Sequence, residues 1–129
     1  MHFDNVSDEI FNEIMAKALD ELPVEYTSRL NNVLITFEDN PSAEQLLKQG
    51  LGRGQTLLGL YEGIPLTKRG AGYTMVLPDK ITLYKYPIIR SSHDEESFKA
   101  QIKHTLWHEI AHYFGLGHDR IHEIESRWQ

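Results

Sequence analysis

Three histidines and a glutamate lie close together in the stretch HEIAHYFGLGH, at residues 108–118 of the 129-residue sequence. His108 and His112 are four residues apart, so on a helix they lie about 40° apart around the axis and one turn apart along it. Both imidazoles can therefore reach one metal ion. Glu109 flanks the same face, about 60° from His112, where it can reach a metal-bound water without being a ligand.

The residues after His112 predict a third ligand. Gly115 is expected to end the helix and turn the chain sharply, because only glycine adopts the left-handed conformation at low cost. His118 can then turn back towards the ion. Three neutral imidazoles with a fourth position open to water are typical of a catalytic zinc site. The sequence predicts one Zn²⁺ held by His108, His112 and His118, with Glu109 as the general base of a hydrolytic reaction.

Composition excludes several other kinds of protein. The absence of cysteine excludes disulfides, cysteine-ligated zinc and thiol catalysis, and it suits a reducing compartment. The net charge of -6 disfavours a nucleic-acid partner, which usually needs a basic face. No segment approaches the roughly 18 apolar residues of a membrane helix, and the acidic N-terminus lacks the features of a secretory signal. We therefore expect a cytoplasmic protein that does not bind membranes.

The elements that must position the motif follow from hydrophobic periodicity, in the order helix, strand, helix, strand, strand, helix. The first helix is predicted over residues 7–22, and the first strand over 32–37. A short helix follows over 41–49, then strands over 55–61 and 80–86. Because Pro78 and Pro87 bracket the last strand, it is placed at a sheet edge. This order predicts one α+β domain spanning residues 1–129.

The last helix carries the motif on its final two turns. It is predicted to begin at Ser92, with Glu95 completing a capping box, and to end at Gly115. An apolar arc on its other side is expected to bury it against the strands. The histidines would then be held on a rigid support.

Two glycine-rich loops have alternative interpretations. The run GLGRG at 50–54 could be a nucleotide-binding loop, but a strand is predicted to follow it where a phosphate site needs a helix, so we interpret it as a connector. The loop at residues 63–72 contains Lys68 and Arg69. These cations could steer an acidic substrate, although solvated loop residues are the ordinary interpretation.

Several further residues are weaker candidates for the site. His104 lies one turn before His108 and could support it, but a surface position is the favoured interpretation. Asp119 could accept a proton from a ligand imidazole or cap the segment that follows, and we favour the cap. Side chains that could stabilise an oxyanion, if any lines the cleft, are Tyr73, Tyr84, Tyr86 and Arg90.

HEIAHYFGLGH resembles the extended zinc-binding motif of the metzincin peptidases. Metzincins, however, have a larger catalytic domain and a methionine turn downstream of the third ligand. Here Met1, Met15 and Met75 all precede the motif. Some part of the following segment IHEIESRWQ is therefore predicted to support the floor of the site, and our hypothesis is that Trp128 folds under the histidines.

The sequence is more similar to the short, single-domain bacterial zincin-like proteins, sometimes called minimal zincins. The resemblance covers nearly the whole chain, through NVLITFED, LLGLYEGIPLTKRG, LPDKITLYKYPI and HEIAHYFGLGH. It implies a minimal zincin fold, in which a small mixed sheet packs on an N-terminal helix and a C-terminal active-site helix, and metallopeptidase activity on a peptide or protein substrate. Many members have Asp where this chain has His118, a change that preserves a competent ligand.

Two other functions stay open at this stage. A bacterial endoribonuclease family with HGxxHxxGxDH has the same histidine spacing, but it has Gly where this chain has Glu109. A non-catalytic domain stabilised by a metal is the other alternative, because a fold does not determine a function.

Overall fold

A computed structural model describes residues 1–51, 54–70 and 78–128 of the chain. The helices are α1 (Asp8–Glu21), α2 (Val24–Thr27), α3 (Ala43–Lys48), α4 (Lys85–Arg90), α5 (Glu95–Phe114) and α6 (His118–Ser126). The strands are β1 (Val33–Glu38), β2 (Gly59–Glu62) and β3 (Asp79–Tyr84), and single 3-10 turns lie at Phe3–Asn5 and Leu66–Lys68. The predicted mixed fold, with a small sheet and long helices near both ends of the chain, is confirmed. Within these ranges no helix has both the length and the apolar character needed to cross a membrane.

The sheet has the strand order β1-β3-β2, with β1 parallel to β3 and β2 antiparallel to it. The strand predicted at a sheet edge is therefore the central one, and that prediction was wrong. Pro78 precedes β3 and Pro87 lies in the first turn of α4, where a missing N–H leaves no helical hydrogen bond unmade. Neither proline interrupts the pairing of β3 on either side.

The core forms where α5 packs between α1 and the sheet. Phe11 of α1 contacts Phe37 of β1 and Phe98 of α5, with ring centroids 4.7 and 6.0 Å apart respectively. Ile81 and Leu83 of the central strand are fully buried. The apolar side of α5 predicted from its periodicity is buried as well, through Phe98, Ile102, Leu106, Trp107, Ile110 and Phe114. The helix that carries the motif is thus the central element of the fold.

Helix α5 begins later than predicted and ends where predicted. Its N-cap is Asp94, which forms a capping box with Ser97, whereas the predicted cap Ser92 donates its hydroxyl to the carbonyl of Ile88 at the end of α4. Gly115 ends the helix with φ +73°, in the left-handed conformation. A Cβ there would also lie 2.1 Å from Thr67 Oγ1. The glycine therefore serves both the turn and the close approach of the 66–68 turn.

The loop that follows β2 is tied to the sheet by a buried ion pair. Asp79 is only 3% exposed, and its carboxylate accepts hydrogen bonds from the Arg69 guanidinium and from the Tyr61 hydroxyl, the latter at 2.6 Å. Arg69 also donates from Nε to the carbonyl of Ile64 at 2.7 Å and lies over the ring of Tyr113. Arg69 is therefore a structural residue, and the interpretation of it as a solvated or substrate-steering cation was wrong. Residues 52, 53, 71 and 72 of the two glycine-rich loops lie outside the described ranges.

Replacing Arg69 by methionine is expected to lower the free energy of unfolding by about 3–5 kcal/mol, because it leaves the buried Asp79 carboxylate without its cation. Urea unfolding followed by circular dichroism measures this change. The matched control is Lys68→Met, at an exposed neighbouring position, which is expected to change stability by no more than about 0.5 kcal/mol. Equal stability of the two variants would show that the ion pair does not hold this loop.

Candidate metal centre

The final turns of α5 bring His108, Glu109 and His112 together. The two imidazole rings lie with their centroids 4.4 Å apart. The Glu109 carboxylate lies between them, with Oε2 3.3 Å from Nδ1 of His108 and Oε1 3.3 Å from Nδ1 of His112. One ligand atom from each of the three residues lies within 4.8 Å of the others. The i, i+4 spacing thus places two imidazoles and one carboxylate where they could hold a metal ion. The division of roles, with the two histidines as ligands and Glu109 as general base, stays a prediction.

Glu109 is buried because strand β2 passes directly over α5. Its side chain is 8% exposed, whereas those of His108 and His112 are 28% and 39% exposed. A Cβ on Gly59 of β2 would lie 2.6 Å from Thr105 Cγ2 and 3.3 Å from Glu109 Cγ. The absence of a side chain at Gly59 therefore lets the strand cover Glu109 while leaving the histidines open to solvent. Sequence analysis missed this role of Gly59.

The environment of Glu109 shifts two pKa values in opposite directions. Burial alone would raise the pKa of Glu109, but hydrogen bonds and charge interactions with His108 and His112 outweigh it and lower the pKa below its ordinary value of 4.5. The hydrogen bond to Glu109 raises the pKa of His108 above 6.5, against the opposing effect of burial. Without a metal, the carboxylate is therefore ionised and stabilises a protonated His108.

These shifts predict how the stability of the metal-free protein depends on pH. The Glu109 contribution is present above its unfolded pKa and is lost as the pH falls through its lowered folded pKa. The His108 contribution is present below its unfolded pKa and is lost as the pH rises through its raised folded pKa. Their joint contribution should therefore be largest between the ordinary values of 4.5 and 6.5.

Urea unfolding in the presence of a chelator measures this contribution to stability. It is carried out at pH values inside the window and on both sides of it. Wild type is expected to exceed Glu109→Gln in stability most clearly inside the window. A difference between the two proteins that does not vary with pH would contradict the proposed interaction.

His118, the predicted third ligand, is the first residue of α6. Its ring centroid lies 6.1 Å from that of His108, on the same side of α5. Two imidazoles on one tetrahedral zinc, with zinc–nitrogen distances of about 2.0–2.1 Å, have centroids about 5 Å apart. His118 lies outside the tighter group of His108, Glu109 and His112, so its role as a ligand stays a prediction. A closure of about 1 Å would bring it within reach.

The segment after the motif forms a helix, but its cap differs from the predicted one. The N-cap of α6 is Gly117, which makes no side-chain cap hydrogen bond. Asp119 is an exposed residue in the first turn, where its negative charge interacts favourably with the helix dipole. The prediction that Asp119 is the cap residue was therefore wrong, although the residue does lie at the helix start.

His104 lies partly at the surface, as favoured, with its side chain 42% exposed, but it also has a buried partner. Its Nδ1 pairs with the Oε2 atom of Glu125 on α6, and its ring stacks against His108 with centroids 6.2 Å apart. Glu125 is only 7% exposed at its side chain. Sequence analysis missed Glu125, although a signal was present, since it shares the buried face of α6 with Ile121 and Ile124.

Trp128 supports α5 from a different position than predicted. Its ring packs edge-on against Trp107, with centroids 5.8 Å apart, and the Lys103 ammonium lies over it. Trp107 in turn donates from its indole N–H to the carbonyl of Ile121 at 3.2 Å. In the described structure, the contacts of Trp128 are thus with the flank of α5. The predicted packing under the three histidines is not seen.

Two clefts flank the motif. The first, of about 370 Å³, is lined by His112, the chain turn after it and the loop beyond β2, including Tyr61, Thr67 and Lys68. The second, of about 900 Å³, lies beside His104 and Glu125, farther back along α5. The first cleft adjoins a predicted metal ligand, and Lys68, for which solvent exposure was the ordinary interpretation, lies at its wall.

Of the residues proposed to stabilise an oxyanion, none of the three that the structure describes lines the cleft beside His112. Tyr84 is fully buried and its hydroxyl donates to Gln45 Oε1 at 2.8 Å. Tyr86 and Arg90 are exposed residues of α4. Tyr73 lies outside the described residues. Tyr61, which sequence analysis did not single out, is the phenol that lines the cleft beside His112.

Comparison with known proteins gave matches to a protein family and to solved structures. A family model described as zincin-like metallopeptidase matches residues 30–128. The solved structure of a conserved hypothetical protein from Thermus thermophilus is similar with a TM-score of 0.57 and 24% sequence identity, covering 84% of this chain and 94% of that one. At this identity the likeness shows the fold alone. No curated protein sequence matches this chain.

Proposed function

The chain belongs to the zincin-like metallopeptidase family, and from this premise we propose that it is a zinc-dependent peptidase. The observation that supports this most directly is the grouping of His108, Glu109 and His112 on α5, with the carboxylate buried between two solvent-accessible imidazoles. The side chain of a general base must be held next to the metal ligands and kept from turning out into solvent. The packing of β2 over α5 meets that requirement.

The residues present fit a zinc ion. His108 and His112 offer neutral nitrogen ligands, and His118 lies on the same side of α5 as the third. With three protein ligands, one coordination position stays open, as in catalytic zinc sites. When bound there, zinc would polarise a scissile carbonyl and lower the pKa of water.

In this proposal Glu109 moves the protons. An ionised carboxylate at this position could accept a proton from the attacking water. It can then pass that proton to the amine that leaves when the peptide bond breaks. Because its methylene stem is packed against β2, the carboxylate has little freedom to turn away from the histidines.

Strand β2 is suited to hold the substrate backbone. It lies at one edge of the sheet, paired with β3, and it crosses α5 beside Glu109. A peptide that adds to such an edge gains main-chain hydrogen bonds irrespective of its sequence. The edge strand we assign to substrate binding is therefore β2, instead of the central strand that sequence analysis placed at an edge.

The proposal is tested by elemental analysis of protein purified without chelators or a metal-affinity tag, followed by incubation with a peptide library. We expect about one zinc per chain, and cleavage that stops on chelation and returns on adding zinc. Stoichiometric zinc without cleavage of any peptide would contradict peptidase activity and favour a metal-stabilised binding domain. The peptide or protein nature of the substrate and the cytoplasmic location remain predictions from sequence.

A further inference from the structure

Helix α6 is attached to the rest of the molecule through one face. Ile121, Ile124 and Glu125 are its buried residues. Two polar contacts cross to α5 from this face: the Ile121 carbonyl accepts from the Trp107 indole, and the Glu125 carboxylate pairs with Nδ1 of His104. In the second contact, the Glu125 carboxylate is more than nine-tenths buried, whereas the His104 ring is partly open to solvent.

The turn between α5 and α6 is fixed at its start and has open space beside its last residue. It consists of residues 115–117, and both its first and last residues are glycines. The Leu116 N–H donates to the Ala111 carbonyl at 3.0 Å, whereas a Cβ on Gly117 would meet nothing within 4 Å. Because glycine has access to more backbone conformations than other residues, contacts further along α6 help to decide where the helix starts and points.

The first residue of α6 is His118, so the docking of α6 decides how closely its imidazole approaches those of His108 and His112. His104 links the metal-site side of α5 to α6. Its ring stacks on that of His108, with centroids 6.2 Å apart, while its Nδ1 pairs with Glu125. A buried carboxylate has a strong preference for its partner, since separation would leave the charge without compensation. The pair therefore restrains α6 in addition to the packing of Ile121 and Ile124.

We propose that Glu125 and His104 are positioning residues for the third metal ligand, holding α6 so that His118 faces His108 and His112. The inference rests on the proposed function, because it requires that His108, His112 and His118 bind one zinc ion. Neither Glu125 nor His104 is a ligand in this arrangement. Their effect on the metal passes through the position of His118.

The test is a double-mutant cycle on zinc affinity, measured by competition with a chromophoric chelator. Glu125→Leu removes the pair and leaves His104, which is 42% exposed, to be hydrated by water. We expect the zinc Kd to rise about tenfold in this variant, the size typical of residues that orient a metal ligand. In a His118→Ala background, Glu125→Leu is expected to change the Kd little, because the ligand through which it acts is already absent.

A second readout separates positioning from general loss of stability. Co²⁺ in place of zinc reports the number of ligands by its visible absorption, and Glu125→Leu should shift this spectrum towards that of His118→Ala. Phe11→Leu is the matched control, since it weakens the core at the far end of α5 and should leave both the zinc Kd and the cobalt spectrum unchanged. His104→Asn, whose amide nitrogen occupies the position of Nδ1 and can still donate to Glu125, should retain an affinity close to that of wild type.

Three outcomes would overturn the inference. An unchanged zinc Kd in folded Glu125→Leu would do so. An equal change in zinc Kd with and without His118 would also do so, because Glu125 would then act on zinc binding by a route other than His118. If Glu125→Leu does not fold, His104→Leu is measured in the same cycle with the same criteria. Failure of the wild-type protein to bind zinc would overturn the proposed function together with the inference, whereas the first two outcomes leave the proposed function standing.

Discussion

Glu109→Gln is expected to lower the rate of peptide hydrolysis by about 10²–10⁴-fold while the protein keeps its zinc. Glutamine has nearly the same size and can still accept hydrogen bonds from the histidines, but its amide cannot take a proton from water at neutral pH. In the structure Glu109 is the acidic member of the group on α5, and its carboxylate lies between the two imidazoles. The measurement is turnover of a cleaved library peptide by variant and wild type with matched zinc content.

The control for this prediction is Glu96→Gln, at an exposed acidic residue in the first turn of the same helix. It removes the same charge about three turns from the site and should leave turnover within a factor of about two. If Glu109→Gln retains both zinc and the wild-type rate, Glu109 is not the general base. A variant that loses zinc instead would assign Glu109 to metal binding.

The second large effect is expected at the third ligand. His118→Ala should weaken zinc binding by about a hundredfold or more, since the binding free energy of about 10–16 kcal/mol in four-ligand zinc sites corresponds to several kcal/mol per ligand. His118→Asp should retain much of the affinity, because aspartate at the start of α6 is also a competent zinc ligand. Competition with a chelator at constant pH gives both dissociation constants.

His122→Ala provides the matched control for His118. This residue is an exposed histidine one turn further along α6, so the substitution removes an imidazole of the same helix from a position facing solvent. We expect no change in zinc affinity. If His118→Ala and His122→Ala bind zinc as tightly as wild type, His118 is not a ligand, and the ligand that joins His108 and His112 must be sought among other residues.

Much of the candidate site could be predicted because it depends on a single helix. The four-residue spacing of His108 and His112 has only one consequence on a helix, and the structure confirms it. The end of that helix at Gly115 was predicted equally well, since a glycine after an apolar periodic segment favours the left-handed conformation seen there. These features arise from residues close together in the chain.

The predictions that failed concern choices between equivalent local signals. Ser92 and Asp94 are both good N-cap residues, and the structure uses Asp94 because the Ser92 hydroxyl is bonded to the end of α4. Prolines on both sides of a strand favoured an edge position, yet β3 is the central strand. The prolines do not prevent this, because they lie beyond the hydrogen-bonded residues of β3. Periodicity identifies an element but does not say which neighbours it will have.

The sequence alone determined the family, the order of the main helices and strands, and the imidazoles and carboxylate that one helix brings together. Only the tertiary structure decided what surrounds them. Strand β2 covers Glu109 at Gly59, Arg69 forms an ion pair with Asp79, and Glu125 pairs with His104. The first of these contacts joins a strand to a helix, the second joins a loop to the central strand, and the third joins two helices. Such contacts depend on how side chains fit when the elements pack, and the spacing of residues within one element carries no information about that fit.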